Sequence, residues 1–142
     1  MPITQEQARG KIAKLVAKYQ NLTDKDIKDY NEANTRRNFI EPLFGALGWN
    51  IYDKAEVSEE ERASNGRVDY AFKLQGVSRF YLEAKALRVD LNKPDYVKQV
   101  ITYAYNKGVT WAVLTDFEGL RLFNAQKSTP YINLAYQDYV VR

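Results

Sequence analysis

Two stretches of alternating apolar residues flank a glycine turn between residues 67 and 87, and this pattern constrains the fold more than any other. The apolar positions are Val68, Tyr70, Phe72 and Leu74 before the turn, and Phe80, Leu82, Ala84 and Ala86 after it. Alternation with a period of two on both sides of a short turn predicts a β-hairpin. Asp69, Glu83 and Lys85 interrupt these runs, and a buried carboxylate costs several kcal/mol unless it is paired or bound to a metal.

The position of Asp69 relative to Glu83 depends on the register of that hairpin. A three-residue loop, residues 75–77, sets Asp69 opposite Glu83. A two-residue loop, residues 76–77, sets Asp69 opposite Ala84 and therefore on the other face of the sheet. A β-bulge would shift either count by one residue, so the sequence leaves these registers open.

The absence of histidine and cysteine restricts the chemistry that this chain can perform. It excludes disulfides, zinc–thiolate sites and every catalytic triad with an imidazole base. Any reaction must therefore use carboxylates, lysine, hydroxyls or a metal held by oxygen. The formal net charge of +3 is compatible with an anionic partner.

The length and patterning predict one α/β domain, residues 1–142, with a central mixed β-sheet flanked by helices. We expect helices over residues 4–21, 23–47 (kinked near Glu41 by Pro42, and closed by Gly48) and 94–107. Strands are expected over residues 49–52, 56–58, 110–115, 120–124 and 131–134, with an exposed loop over residues 58–66. The apolar ending AYQDYVVR indicates an N-terminal fragment of a larger protein. No signal peptide or run of ~20 apolar residues appears, which predicts a soluble cytoplasmic protein without membrane contact.

The interrupting charges have a functional and a structural interpretation. Two carboxylates that converge repel each other unless a cation lies between them, and hard oxygen ligands in small number suit Mg²⁺ best. Glu83 and Lys85 share a strand face, so the lysine could orient or deprotonate an attacking water. In the structural interpretation, Glu83 and Lys85 form an ordinary surface pair and Asp69 marks the entry to a strand.

Two further pairs have spacings that place them on one side of a helix. Gln99 and Tyr103 are four residues apart and lie on one flank of their helix. As an exposed pair they would contact a phosphate or brace Lys85; otherwise Tyr103 is a half-buried packing residue. Glu32 and Arg36 lie one turn apart at the edge of an apolar face. They form either a buried salt bridge or a further metal ligand and its partner.

Taken together, these residues resemble the PD-(D/E)XK nuclease superfamily. The segments NEANTRRNFIEPLFGALGW (31–49), GRVDYAF (66–72) and LEAKAL (82–87) are similar to the N-terminal nuclease domain of type I restriction R subunits and of fused type IIG restriction-modification enzymes. The resemblance covers about residues 30–125, and it departs at Val68, where the superfamily name has proline. It implies a restriction-endonuclease-like fold.

The resemblance assigns a role to each position that matches the motif. Asp69, Glu83 and the carbonyl of Ala84 would bind Mg²⁺, for which Mn²⁺ could substitute, and Lys85 would be the catalytic lysine. Glu32 would match the glutamate of the first motif helix, and Gln99 and Tyr103 would match the Q-x-x-x-Y helix. Arg36 is a further candidate for DNA contact.

The function implied by the resemblance is hydrolysis of phosphodiester bonds in double-stranded DNA. A methyltransferase or an ATP-dependent translocase would act with the domain, in the same chain or complex. Nothing resembles a base-reading element, so we expect cleavage without sequence choice, with phosphate contacts from a set of basic side chains: Arg36, Arg37, Arg62, Arg67, Arg88, Lys93 and Lys98. The alternatives are a non-catalytic nucleic-acid-binding or assembly domain with the same fold and a repair or junction nuclease.

Overall fold

The computed structural model describes residues 3–63, 66–127 and 129–139, with side chains described for residues 3–59, 66–127 and 132–139. The helices are α1 Gln5–Gln20, α2 Asp24–Asp29, α3 Glu32–Thr35, a π-helical turn Arg36–Ile40, α4 Glu41–Ala46, α5 Pro94–Asn106 and a 3₁₀ turn Tyr136–Asp138. The strands are β1 Val57–Ala63, β2 Gly66–Leu74, β3 Val77–Ala84, β4 Trp111–Thr115, β5 Gly119–Asn124 and β6 Thr129–Ala135.

The six described strands form one mixed sheet in the order β1-β2-β3-β4-β5-β6. All neighbours are antiparallel except β3 and β4, which run parallel and are connected through α5. One face packs against α1 and α4 through Tyr70, Phe72 and Leu82, whereas Ala71 and Tyr81 belong to the core under α5. The chain therefore has the predicted α/β architecture, a mixed sheet between two helical layers.

The sequence places the first helix correctly and misses an interruption in the second. Thr4 caps α1 in a capping box with Gln7, as its spacing predicts. The predicted helix over residues 23–47 is wrong as a single element, because it breaks at Tyr30 and restarts at Glu32. Asn31 causes the restart, since its side chain accepts a hydrogen bond of 2.8 Å from the Asn34 amide.

The predicted irregularity near Glu41 takes the form of a π-helical turn. The Glu41 amide donates to the carbonyl of Arg36, five residues earlier. Pro42 has no amide hydrogen to donate to the carbonyl of Asn38. Lys18 supplies that donor from α1, with its Nζ 3.2 Å from the Asn38 oxygen. The wide turn is thus compatible with continued helix because a neighbouring side chain satisfies the freed carbonyl.

Two predictions around the first strand are wrong. Residues 51 and 52 form a turn rather than a strand, and residues 58–63 form most of β1 rather than a loop. The polar composition of this segment predicts a loop. A strand at the edge of a sheet does not need alternation, since charged residues are common there and protect the edge from pairing with other chains.

The remaining elements match their predictions within a few residues. Strands β4, β5 and β6 correspond to the three predicted apolar runs, and α5 corresponds to the predicted helix over residues 94–107. Gly48 follows α4 with a φ angle of 108°, which fits its predicted role at the helix end. Within the described ranges, we find no helix whose length and apolar character would let it traverse a bilayer.

Candidate functional site

The hairpin that carries the candidate residues turns over two residues, Gln75 and Gly76. Their φ angles are 53° and 79°, as in the tight turns that connect antiparallel strands. Leu74 pairs with Val77 across this turn. Neither of the two predicted loops is formed, and this turn by itself would set Asp69 opposite an apolar residue on the other face.

A β-bulge changes the register beyond the turn. The pairing shifts by one residue between positions 72 and 73, and beyond that shift Tyr70 pairs with Leu82. Continuing the pairing by one residue places Asp69 opposite Glu83. The two carboxylates therefore share a face of the sheet through the combination of a short turn and a bulge.

Asp69 is fully buried and has a partner for each oxygen. Its Oδ2 accepts a hydrogen bond of 2.8 Å from the backbone amide of Ala84. Its Oδ1 lies 3.3 Å from Nη1 of Arg67, whose side chain remains 46% exposed. The amide of Ala84 thus fixes the Asp69 carboxylate against β3.

Glu83 is a buried carboxylate whose pKa is raised above its ordinary value. Its side chain is 4% exposed, and Nζ of Lys85 lies 3.5 Å from Oε2. Oε1 is buried and has no hydrogen-bond partner among the described residues. Burial and the neighbouring Asp69 charge raise the pKa of Glu83 to about 7, and Lys85 opposes that rise. A buried carboxylate oxygen without a donor is a place where a cation would be stabilised.

Lys85 follows β3 and is fixed at its backbone and at its ammonium group. Its amide donates a hydrogen bond of 2.9 Å to the carbonyl of Thr115 on β4. Its side chain is 14% exposed. Besides Glu83, the ammonium contacts the ring of Tyr96, with Nζ 4.1 Å from the ring centroid. Sequence reasoning missed Tyr96, since no local pattern relates it to Lys85.

Glu32 lies at the start of α3 and acts electrostatically on the same site. Burial raises the pKa of Glu32, the Asp69 charge raises it further, and Lys85 and Arg36 lower it. Glu32 in turn contributes to the raised pKa of Glu83. The structure therefore brings this distant glutamate into electrostatic range of the hairpin carboxylates.

Arg36 belongs to a hydrogen-bonded chain that sequence reasoning did not foresee. Its Nε donates a hydrogen bond of 2.9 Å to the hydroxyl of Tyr70, and Nη2 lies 3.4 Å from Glu59. The Tyr70 hydroxyl donates to Glu41. Arg36 also lies 4.8 Å from the centroid of the Tyr70 ring. The alternating pattern predicts Tyr70 only as a core residue, and it does not predict the hydrogen bonds of the Tyr70 hydroxyl.

The two residues of the predicted Q-x-x-x-Y element have different environments. Gln99 is exposed, and its Nε2 donates a hydrogen bond of 3.3 Å to the carbonyl of Arg67. Tyr103 is 4% exposed and packs edge-on against Tyr81, with the ring centroids 4.9 Å apart. The exposed-pair alternative is wrong for Tyr103, and its alternative role in packing is confirmed, because α5 is rotated so that this residue faces the sheet.

The basic residues proposed for DNA contact do not form one group. Arg67 lies beside Asp69, and Lys93 lies 5.6 Å from the centroid of the Tyr96 ring. Arg37 and Lys98 are exposed. Arg88 instead pairs with Asp24 at 3.0 Å and Glu118 at 3.3 Å. The side chain of Arg62 lies outside the described residues.

The donor set fits a hard cation with few protein ligands. Asp69 and Glu83 provide two carboxylates, and one of their oxygens has no donor. Within the described parts of the chain, no group of three or more Asp, Glu, His or Cys residues has an arrangement that could hold a metal ion. Mg²⁺ commonly uses one or two carboxylates and keeps several waters, so two carboxylates are a sufficient protein contribution.

Comparison with known proteins relates the chain to a restriction system. The relative is the type II restriction enzyme and methyltransferase RM.Eco57I of Escherichia coli, which is 30% identical over 131 residues. The alignment covers 82% of this chain and 13% of the relative, so the chain spans about an eighth of that protein's length. No family model matches the chain, and no solved structure matches it significantly.

Proposed function

We propose that this chain is a Mg²⁺-dependent DNA endonuclease domain of a restriction-modification enzyme, with a restriction-endonuclease-like fold of the PD-(D/E)XK type. It hydrolyses phosphodiester bonds and has no sequence readout of its own. The observation that carries the proposal is the buried Glu83 oxygen that has no donor in the described part of the chain, on the same face as Asp69 and beside the ammonium of Lys85.

Asp69 and Glu83 would hold the Mg²⁺, and the carbonyl of Ala84 and the carboxylate of Glu32 are the further oxygens of this region. When bound, Mg²⁺ supplies Lewis-acid stabilisation of negative charge on the phosphate. The pKa of Glu83 is raised to about 7, so part of this carboxyl is protonated near neutral pH, and a bound cation would favour its ionised form. Cation binding and deprotonation of Glu83 are therefore coupled.

Lys85 supplies the positioned donor of the site. Its Nζ is 3.5 Å from Glu83 and its side chain is largely buried, so the ammonium is held in a low-dielectric region. There it can orient the attacking water and stabilise negative charge that develops on the phosphate. Arg67, half-exposed beside Asp69, and Arg36, oriented by Tyr70, would contact the flanking phosphates.

The substrate and partners follow from the same residues and from the relative. Double-stranded DNA is the proposed substrate, bound through phosphates rather than base edges, so binding by the chain alone is weak and salt-dependent. The relative's name joins a restriction enzyme to a methyltransferase. We therefore favour a methyltransferase over an ATP-dependent translocase as the partner, in the same chain or complex. In isolation the domain nicks DNA slowly, at high protein concentration with Mg²⁺ or Mn²⁺.

One observation favours the second candidate, a non-catalytic DNA-binding or assembly domain. Each site carboxylate already has a cation from the chain, Arg67 for Asp69 and Lys85 for Glu83. Such pairs also occur as purely structural contacts. The two candidates differ in whether the chain cleaves DNA, and in whether removal of Lys85 abolishes that cleavage without affecting the fold.

Three variants test the proposal: Lys85→Ala, Asp69→Ala and, as a matched lysine control, Lys11→Ala on the exposed side of α1. Lys85→Ala removes a positioned donor while the carboxylates remain, so single-turnover cleavage falls about 10²- to 10⁴-fold and DNA binding is retained. Asp69→Ala abolishes cleavage through loss of the cation, and calorimetric Mg²⁺ binding is lost only in this variant. Lys11→Ala cuts like the parent chain. If Lys85→Ala and Asp69→Ala cut normally, the chemistry lies elsewhere; if both unfold, the charges are structural.

A further inference from the structure

Helix α5 places an aromatic ring against the ammonium of Lys85. The Lys85 Nζ lies 4.1 Å from the centroid of the Tyr96 ring, well within the distance at which a cation is attracted by an aromatic face. Tyr96 is half-buried, in the first turn of the helix that begins at Pro94. A residue eleven positions along the chain from Lys85 thus provides one of the contacts of the proposed catalytic group.

The position of that ring is fixed by the packing of the whole helix. Val100 and Ala104 are fully buried against the sheet, and Tyr103 packs edge-on against Tyr81 of β3. These contacts anchor α5 over β3, the strand that carries Glu83. Tyr96 therefore cannot shift along the sheet without disturbing the core, and it is a rigid support compared with the four-carbon side chain of lysine.

We propose that Tyr96 is a positioning residue for Lys85, an assignment that rests on the proposed nuclease function. Glu83 and Tyr96 make two different contacts with one ammonium, a carboxylate oxygen at 3.5 Å and a ring face at 4.1 Å. Together they restrict where Nζ lies relative to the phosphate. The contact uses the ring and not the hydroxyl, so phenylalanine at this position serves equally well.

Two substitutions at Tyr96 separate the ring from the hydroxyl. Tyr96→Leu removes the aromatic face at similar size, whereas Tyr96→Phe retains it. We expect Tyr96→Leu to lower the single-turnover cleavage rate about 3- to 30-fold, the loss expected for one cation–π contact, with DNA affinity unchanged. Tyr96→Phe cuts at the parent rate. Tyr105→Leu, which alters a 57% exposed tyrosine of the same helix, is the matched control and has no effect.

A second readout does not depend on cleavage. In NMR spectra of the 142-residue chain with labelled lysine, the Lys85 Hε resonances are shifted upfield by the Tyr96 ring current. The shift persists in Tyr96→Phe and Tyr105→Leu and disappears in Tyr96→Leu. If the parent chain does not cut DNA, the proposed nuclease function is wrong. The Lys85 resonances still show in that case whether Tyr96 contacts Lys85. Unchanged Lys85 resonances in Tyr96→Leu, a parent-like rate in that variant, or a Phe variant as slow as the Leu variant would overturn the positioning role.

Discussion

Glu83 and Asp116 are two buried carboxylates near the ends of neighbouring parallel strands, and they differ in how their oxygens are satisfied. Burial raises the pKa of each to about 7. Asp116 accepts a hydrogen bond of 2.8 Å from the amide of Gly119, which closes the turn after β4. Glu83 has an oxygen to which no described residue donates, and it shares its face with Asp69. A raised pKa alone thus does not separate a structural carboxylate from a functional one.

The neighbours of the two carboxylates show the same contrast. Around Asp116, Thr115 donates through Oγ1 to the Gly119 carbonyl at 2.6 Å and accepts from the Phe117 amide at 3.0 Å. Glu118 accepts from Tyr19 and pairs with Arg88. The polar contacts of this region close on one another and stabilise a turn. Around Glu83, by contrast, Oε1 has no hydrogen-bond partner among the described residues, and the ammonium of Lys85 lies 3.5 Å from Oε2.

The largest expected difference between the two regions is in DNA cleavage. Glu83→Gln removes a proposed cation ligand and should lower the single-turnover rate at least about 10²-fold. Asp116→Asn keeps an oxygen that can accept from Gly119, and it should cut like the parent chain. Cleavage of supercoiled DNA under excess protein measures both. Equal losses in the two variants would show that Asp116 belongs to the reacting site.

The next difference concerns stability against pH in the absence of divalent cations. A carboxyl whose folded pKa lies above its unfolded value contributes stability that is complete below the unfolded pKa and is lost as pH rises through the folded one. For Glu83 the rise from 4.5 to about 7 corresponds to about 3 kcal/mol, lost between about pH 4.5 and pH 7. Urea unfolding should therefore show that Glu83→Gln gains this amount over the parent chain between pH 4 and pH 8.

Asp116 provides the comparison for that measurement. Its pKa rises from 3.8 to about 7 for the same principal reason, burial. Asp116→Asn should therefore also gain folding stability over the parent chain as the pH rises through a similar range. The stability difference between the parent chain and Glu83→Gln could instead be independent of pH. That result would show that ionising Glu83 costs no folding free energy. The cations of Arg67 and Lys85 would then fully compensate the site.

A smaller effect should separate the two regions when Mg²⁺ is added at pH 8. A cation that binds only the folded chain stabilises it by about 1.4 kcal/mol at ten times its dissociation constant. Thermal unfolding should therefore move upward with Mg²⁺ in the parent chain and in Asp116→Asn, and not in Asp69→Asn. Stabilisation that survives in Asp69→Asn would place the cation outside the hairpin site.

The smallest expected effect is on the salt dependence of DNA binding, and two arginines of similar exposure test it. Arg67, 46% exposed, lies beside Asp69, and Arg88, 50% exposed, pairs with Asp24 and Glu118. If Arg67 contacts a phosphate, Arg67→Ala should reduce the slope of log K against log salt by about 0.9, and Arg88→Ala should leave it unchanged. Fluorescence anisotropy with duplex DNA at several salt concentrations measures both slopes.

Local sequence patterns determined much of the architecture and the identity of the candidate residues. The capping box at Thr4, the alternating runs of β2 and β3 and the apolar run of β4 each depend on neighbours within a few positions. Such features are encoded where they occur, so periodicity and cap chemistry identify them. The same locality explains the error at β1, whose charged residues become a strand only because β2 lies beside them.

The geometry of the site was decided by the tertiary structure. The position of Asp69 opposite Glu83 depends on a bulge that adds one residue to β3, and composition does not reveal such a one-residue shift. The burial of Tyr103 and the contact of Tyr96 with Lys85 depend on how α5 is rotated against the sheet. The sequence by itself determined which charged residues interrupt the hairpin. Which of their atoms meet was decided by packing, because contacts between distant segments form only when a common core fixes both.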